Sequence, residues 1–330
     1  MTLLWVAVAC TGGQKDDTGA DDTGDPGSWT TVAADLPGAL LSVWGTSASD
    51  VWTVGVDGGD GVTIRHWDGA SWATSSHAGT LWWTFGIDDV VWAVGEAGAA
   101  VRIDTATGAI EEMTLDPAIT YFGIWGASAD DLWAVGGDPA VISDAGTIWH
   151  WDGTAWSEAE APAEAAAQIA VYKVWGTGAS DVWAVGTGGV IVHWDGAAWS
   201  NVTSPTPRNL FTVHGAGSEA WAVGGEFSGT VVHWDGAAWT DETPTDPMPQ
   251  LNGVNAAGEV PVAVGTQGAV WRREGGAWAA DPRGAATSED LHATWVDPDG
   301  GIWAVGGHLA SYPQINGTLI YGGEAPPAGF

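Results

Sequence analysis

The four-residue string Trp-x-Val-Gly recurs at Trp52–Gly55, Trp92–Gly95, Trp133–Gly136, Trp183–Gly186, Trp221–Gly224 and Trp303–Gly306, and Val262–Gly265 is a further copy that has lost its tryptophan. Successive copies stand 38 to 50 residues apart, most of them 40 or 41. A period of that length marks a supersecondary unit that cannot bury its apolar face alone, so the fold must stack copies of it. A four-stranded blade and a helical pair both have that size. Val, Trp and Gly dominate the copies, turn residues interrupt them every few positions, and no apolar stripe of period 3.6 is sustained. The unit is therefore a blade.

The fourth copy shows the parse. Val171–Trp175 is strand a, 176–181 a turn, Val182–Val185 strand b, Gly188-Gly189 a turn, and Val190–Trp194 strand c; Asp195-Gly196 turns again and Trp199 opens strand d. Asp-Gly is a strong hairpin signal, because Gly accepts positive φ and the Asp carboxylate caps the turn amides. His-Trp-Asp-Gly recurs at 66–69, 150–153, 193–196 and 233–236, each followed by Trp72, Trp156, Trp199 or Trp239. The last copy has strands a (His292–Trp295), b (Ile302–Val305) and c (Thr318–Tyr321) but no Trp-led strand d. The missing strand stands at the other end, where Gly27-Ser28-Trp29-Thr30-Thr31-Val32 matches its opening. Closure by that strand removes the exposed edges of an open array. The expected fold is all-β: a seven-bladed β-propeller over residues 28–323, with four-stranded antiparallel blades and an N-terminal strand completing the last one.

Tryptophan is the natural filler between such sheets, since each indole buries about 150–250 Å². Trp52, Trp92, Trp133, Trp183, Trp221 and Trp303 are expected in the core. Trp67, Trp151, Trp194 and Trp234 are expected to be structural too, nearer the rim.

Outside the repeats, residues 1–9 read MTLLWVAVA and Cys10 follows. The run is too short for a membrane-spanning helix, which needs about 20 residues. It reads as the remnant of a secretory signal, and Val8-Ala9-Cys10 resembles a bacterial lipobox whose cysteine is lipidated. Residues 10–27 carry Asp-Asp-Thr-Gly twice and no large apolar side chain, which describes a disordered tether. Residues 324–330 form a tail. Thr11 follows the cysteine where an Asp would signal inner-membrane retention, so the expected address is the outer membrane or cell surface by a lipid anchor, or secretion if Cys10 is unmodified.

The blade elements Val-Trp-Gly, Asp-Val-Trp-Ala-Val-Gly and His-Trp-Asp-Gly-x-x-Trp stand most fully at 174–199, and with them the chain resembles bacterial secreted and lipoprotein propellers of the cell envelope. Asp-Gly-x-x-Trp is also similar to the Asp-box hairpin of sialidase-type propellers. His66, His150, His193 and His233 stand where that box usually has Ser. The resemblance implies fold and compartment and carries no catalytic residue across.

Charge narrows the function. With 41 acidic against 8 basic residues the net charge is −33, which excludes nucleic acid and direct docking on anionic lipid. A single cysteine excludes multi-thiolate metal sites. A sialidase-like enzyme would need converging arginines, yet Arg65, Arg102 and Arg272 fall on strand c of separate blades. The four repeated histidines lie one per blade, too far apart to share an ion. No enzyme, metal or cofactor is expected; the alternative is a carbohydrate-active enzyme of the sialidase- or lyase-like propeller type.

Binding is the better class. The a–b and c–d turns are nearly monotonous and share one rim. The b–c and d–a loops on the other rim differ in every blade, as at 137–146, 158–169, 201–209, 241–250 and 308–317. Recognition in repeat rings usually sits on such loops. Trp82, Trp83, Tyr121, Tyr172, Lys173, Arg208, Phe211, His292 and Tyr312 are the large polar or aromatic residues on that face which packing does not explain. They are the candidate ligand-binding set, for a protein or glycan partner of a monomeric ring; some could instead plug the central channel.

Overall fold

The computed structural model describes residues 28–330 except 139, 142, 259, 286, 311, 312, 325, 326, 328 and 329. The leader, Cys10 and the tether lie outside the described residues. Within them the chain forms seven four-stranded antiparallel sheets. Blade 1 is β2 (Leu40–Ser47), β3 (Asp50–Gly55), β4 (Ile64–Trp67) and β5 (Trp72–Ser75). Blade 2 is β6 (Leu81–Ile87), β7 (Val90–Gly95), β8 (Ala99–Asp104) and β9 (Ile110–Thr114). Blade 3 is β10 (Thr120–Ser128), β11 (Asp131–Gly137), β12 (Thr147–Trp151) and β13 (Trp156–Glu158). Blade 4 is β14 (Val171–Gly178), β15 (Asp181–Gly186), β16 (Ile191–Trp194) and β17 (Trp199–Val202). Blade 5 is β18 (Leu210–Ala216), β19 (Glu219–Glu226), β20 (Ser228–Trp234) and β21 (Trp239–Asp241). Blade 6 is β22 (Leu251–Asn255), β23 (Val262–Gly265), β24 (Val270–Glu274) and β25 (Ala277–Ala280). Blade 7 is β26 (Asp290–Val296), β27 (Ile302–His308) and β28 (Ile315–Gly322), with β1 (Trp29–Leu36) as its outer strand.

The ring closes as the incomplete seventh repeat requires. Trp29 pairs with Gly322, Thr30 with Tyr321 and Thr31 with Ile320. Arg283 lies 4.2 Å from the Trp29 ring centroid, held by its hydrogen bonds to Asp281. The first strand of each blade packs against the first strand of the next, and β26 returns to β2. Strands a therefore line the central axis.

Tryptophans mortar the blades in a repeating contact. Trp92 of β7 packs against Trp151 and Trp156 of blade 3, with centroids 5.4 and 5.8 Å away. Trp133 meets Trp194 and Trp199 of blade 4 at 4.8 and 5.1 Å, and Trp183 meets Trp234 and Trp239 of blade 5 at 4.7 and 5.5 Å. All six tryptophans of Trp-x-Val-Gly are buried. Such pairs add about 0.5–1.5 kcal/mol each beyond the area they bury.

The repeated histidine is structural. His66, His150 and His193 each place Nε2 2.7 Å from the carboxylate that opens the neighbouring strand b, Asp50, Asp131 and Asp181 respectively. Each imidazole also lies against that strand's tryptophan, most closely His66 on Trp52 at 3.9 Å. In the hairpins, Asp68, Asp152, Asp195 and Asp235 each accept two backbone N–H bonds from the residues two and three further on. Those bonds hold the four carboxyls below the ordinary range; at Asp152 the Thr154 hydroxyl, followed by the two backbone bonds, brings the value to about 2.

Candidate functional site

One irregularity repeats in all seven blades. Near the start of every strand a the pairing with strand b slips by one, leaving Leu41, Trp82, Phe122, Tyr172, Phe211, Asn252 and His292 as unpaired bulge residues. A β-bulge bends its strand and re-aims the extra side chain. Because strands a ring the axis, seven bulges at one level put six side chains around its mouth, while the seventh, Leu41, is buried in the core beside Ala39 and Val56. Five are aromatic, and four of those form a continuous run. Trp82 meets Phe122 at 5.3 Å, Phe122 meets Tyr172 at 5.4 Å, and Tyr172 meets Phe211 at 5.5 Å. His292 reaches Trp82 across Leu41 at 5.8 Å.

The mouth opens on the face of the b–c and d–a loops as a cup of about 670 Å³. Its walls are this arc together with Asn252, Leu309 and Ala310; Thr120, Gln250, Thr266 and Gln314 add polar groups, and Glu96 and Asp290 add carboxylates. That volume lies within the usual range of small-ligand clefts, as does the mix of apolar wall and few polar groups.

Lys173 stands one residue past the bulge of blade 4 and borders both the cup and the channel below. Its ammonium donates to the Phe122 carbonyl at 2.7 Å and lies 3.5 Å from the Trp83 ring centroid in blade 2. Only 4% of the residue is exposed. Burial pushes its pKa well below the ordinary lysine value, while the Trp83 face favours the charged form. His292 Nδ1 donates to the Leu41 carbonyl, and burial, followed by the charge of Lys173, lowers its pKa to about 3.

Below Lys173 the axis holds about 260 Å³, lined by Trp44, Trp83, Phe85, Trp125, Trp175, His214, Asn255 and Trp295 among others. His214 Nδ1 accepts the Ala256 N–H at 3.2 Å, and burial brings its pKa to about 4.

The nine sequence candidates separate accordingly. Trp82, Tyr172, Lys173, Phe211 and His292 meet in the cup. Trp83 lies beneath it, in the channel. Tyr121 does not reach the face: it is 0% exposed, at the register position held by Leu40, Leu81, Leu210, Leu251 and Leu291, so it fills the space between sheets. Burial raises its phenol pKa, and its hydroxyl sits 3.5 Å from the Asp116 N–H. Arg208 is exposed on the same face but lines a separate cleft, with its guanidinium bound to the Ser228 hydroxyl and carbonyl. Tyr312 lies outside the described residues.

Three residues escaped the sequence reading. Phe122 and Asn252 belong to the bulge ring and could have been found by aligning the residues that follow Leu40, Leu81, Tyr121, Val171, Leu210, Leu251 and Leu291. Phe227, 102% exposed at the tip of the β19–β20 hairpin with φ +64°, borders an open groove beside Gln250, Thr266 and Asp290.

The other basic groups do not converge on the cup. Arg65, Arg102 and Arg272 lie on third strands beside Asp60, Glu111 and Glu274, and Arg273 and Arg283 pair with Glu242 and Asp281. Among the described residues no group of three or more His, Cys, Asp or Glu is placed to hold a metal ion.

No protein-family model matches the chain, and no curated protein matches it in sequence. Solved structures match it in fold. The WD40 β-propeller domain of Doa1 superposes with a TM-score of 0.69 at 10% identity, covering 92% of this chain and 100% of that one. A streptogramin B lyase structure gives 0.68 at 11% identity, with 88% and 96% covered. YCF48 from Cyanidioschyzon merolae gives 0.65 at 13% identity, with 90% and 98% covered. At such identities the likeness establishes the seven-bladed propeller and nothing finer.

Proposed function

We propose that this chain is a non-catalytic recognition ring of a bacterial cell envelope, tethered through a lipidated Cys10, that holds a glycan in the aromatic cup. The observation that carries the reading is the ring of seven bulges. A bulge interrupts strand pairing, and here every blade has one at the same level, with six of the seven extra side chains lining the mouth. The fold does not need Trp82, Phe122, Tyr172 and Phe211 for its core, since all four remain partly exposed. Flat aromatic faces bordered by amides and hydroxyls suit a pyranose, whose C–H face lies on the rings while its hydroxyls take hydrogen bonds. The absence of arginine from the residues lining the cup and the ion pairing of the outer arginines support binding over sialidase-like catalysis.

A protein partner is the second reading, favoured by Phe227. A fully exposed phenyl group on left-handed backbone is an unusual surface residue and a natural anchor for another chain.

The test is a glycan array probed with the Cys10→Ser chain, followed by titration of the best binder. Trp82→Ala and Phe122→Ala should each weaken it at least tenfold with the melting temperature little changed. An array without binders, or binding indifferent to both substitutions, rejects the cup as a glycan site. Capture of a protein lost in Phe227→Ala would support the second reading. Globomycin sensitivity of processing, abolished in Cys10→Ser, tests the anchor separately.

A further inference from the structure

Five of the six arginines stand within ion-pairing distance of a carboxylate, and the sixth, Arg208, is exposed to solvent. Lys173 is different. It is buried and has no carboxylate within 4.0 Å among the described residues, in a chain with 41 acidic side chains. Its hydrogen bond to Phe122 uses one of three ammonium donors, and Trp83 receives another side of the group. A buried amine without a carboxylate partner is costly to a fold, which avoids one unless the group has another use.

We propose that the cup takes an acidic sugar, whose carboxylate pairs with Lys173 at the floor while its pyranose face lies against the aromatic arc. The inference rests on the cup being the glycan site and adds the charge of the ligand. Glu96 and Asp290 give the pose a direction, because they line the cup and neither has a cationic side chain within 4.0 Å among the described residues. They repel a second carboxylate and accept sugar hydroxyls. Asp290 is already oriented by the Gln267 N–H at 2.9 Å. A peptide C-terminus would supply the same carboxylate, but its flanking amides match hydroxyl-accepting carboxylates and stacked rings less well than a pyranose does.

The pairing has a thermodynamic signature. Burial favours a neutral Lys173, whereas a carboxylate beside it favours the ammonium, so binding takes up a proton at pH values above the lysine's unliganded pKa. Of the other titratable groups around the floor, His292 is held neutral with its Nδ1–H on Leu41, and Tyr172 is driven upward by burial and then by the charge of Glu226. Both stay neutral near pH 8. Glu96 and Asp290 are the acidic side chains on the wall of the cup.

The experiment is isothermal titration of the full Cys10→Ser chain at pH 8 with a glucuronate trisaccharide, its carboxyl-reduced neutral counterpart, and an acetylated tripeptide with a free C-terminus. The uronate should bind at least tenfold more tightly than either. Lys173→Met, which replaces the ammonium with an apolar chain of similar length, should bring the two sugars to equal affinity. Equal binding of both sugars by the unaltered chain overturns the pairing while leaving the cup as a glycan site. Preference for the tripeptide overturns the sugar. No binding of any sugar overturns the glycan reading beneath both.

Discussion

The indole of Trp44 in blade 1 lies so close over Gly86 of blade 2 that a β-carbon at position 86 would come within 2.2 Å of its ring. The same contact joins Trp295 to Gly45, Trp125 to Gly176 and Trp175 to Gly215. This gives Val-Trp-Gly its physical meaning: the tryptophan of one blade requires the glycine of the next. Gly86→Ala should therefore destabilise the ring by about 1–3 kcal/mol, the usual cost of overpacking. Urea denaturation should show the loss, and adding Trp44→Leu should recover part of it.

Removing β1 should do far more. Without residues 28–37 the last blade has three strands, and the edge of β28, with buried Leu319, Ile320 and Tyr321, is left unpaired. The truncated chain should aggregate or lose its cooperative melt. A circular permutant that carries residues 28–37 after residue 323 should fold, as differential scanning calorimetry would show.

Acid should weaken the channel through His214. Its pKa is about 4 in the folded ring against an ordinary value of 6.5, so between those values the unfolded chain binds more protons and stability rises with pH. The contribution is complete above about 6.5 and is lost as pH falls through 4. It amounts to about 3 kcal/mol. In His214→Gln, the unfolding free energy measured from pH 7 to pH 4 should lack that part of the decline. His292, at about 3, acts in the same sense over a wider interval.

Phe227→Gly should raise stability. Left-handed backbone costs a residue with a β-carbon about 1–2 kcal/mol, and glycine returns part of that gain as chain entropy. A net increase of about 0.5–1 kcal/mol is expected by chemical denaturation. A decrease would mean that the phenyl group makes contacts its full exposure argues against.

The architecture was legible because its signals are local and repeated. Asp-Gly turns, Trp-x-Val-Gly strands and the unmatched Trp29 strand each fall within a few residues, and together they imply the number of blades. The cup was legible only by residue type. Tyr121 and Phe122 are adjacent aromatics, and no alternation rule says which one faces the axis, because the bulge that decides it arises from pairing with Val135 and Gly136 on the next strand. Lys173 reached the candidate set as an odd cation near a strand start. Its contact with Trp83 spans blades far apart in the chain, and local pattern holds no trace of it.

Each residue at the mouth sits where its blade's ladder has already skipped a partner. Exchanging Trp82 for Arg, or Asn252 for Tyr, would remove no rung from the sheet and shift no register. Six such positions around one axis make the mouth a palette that mutation can recolour one side chain at a time, while the tryptophan mortar behind it stays untouched.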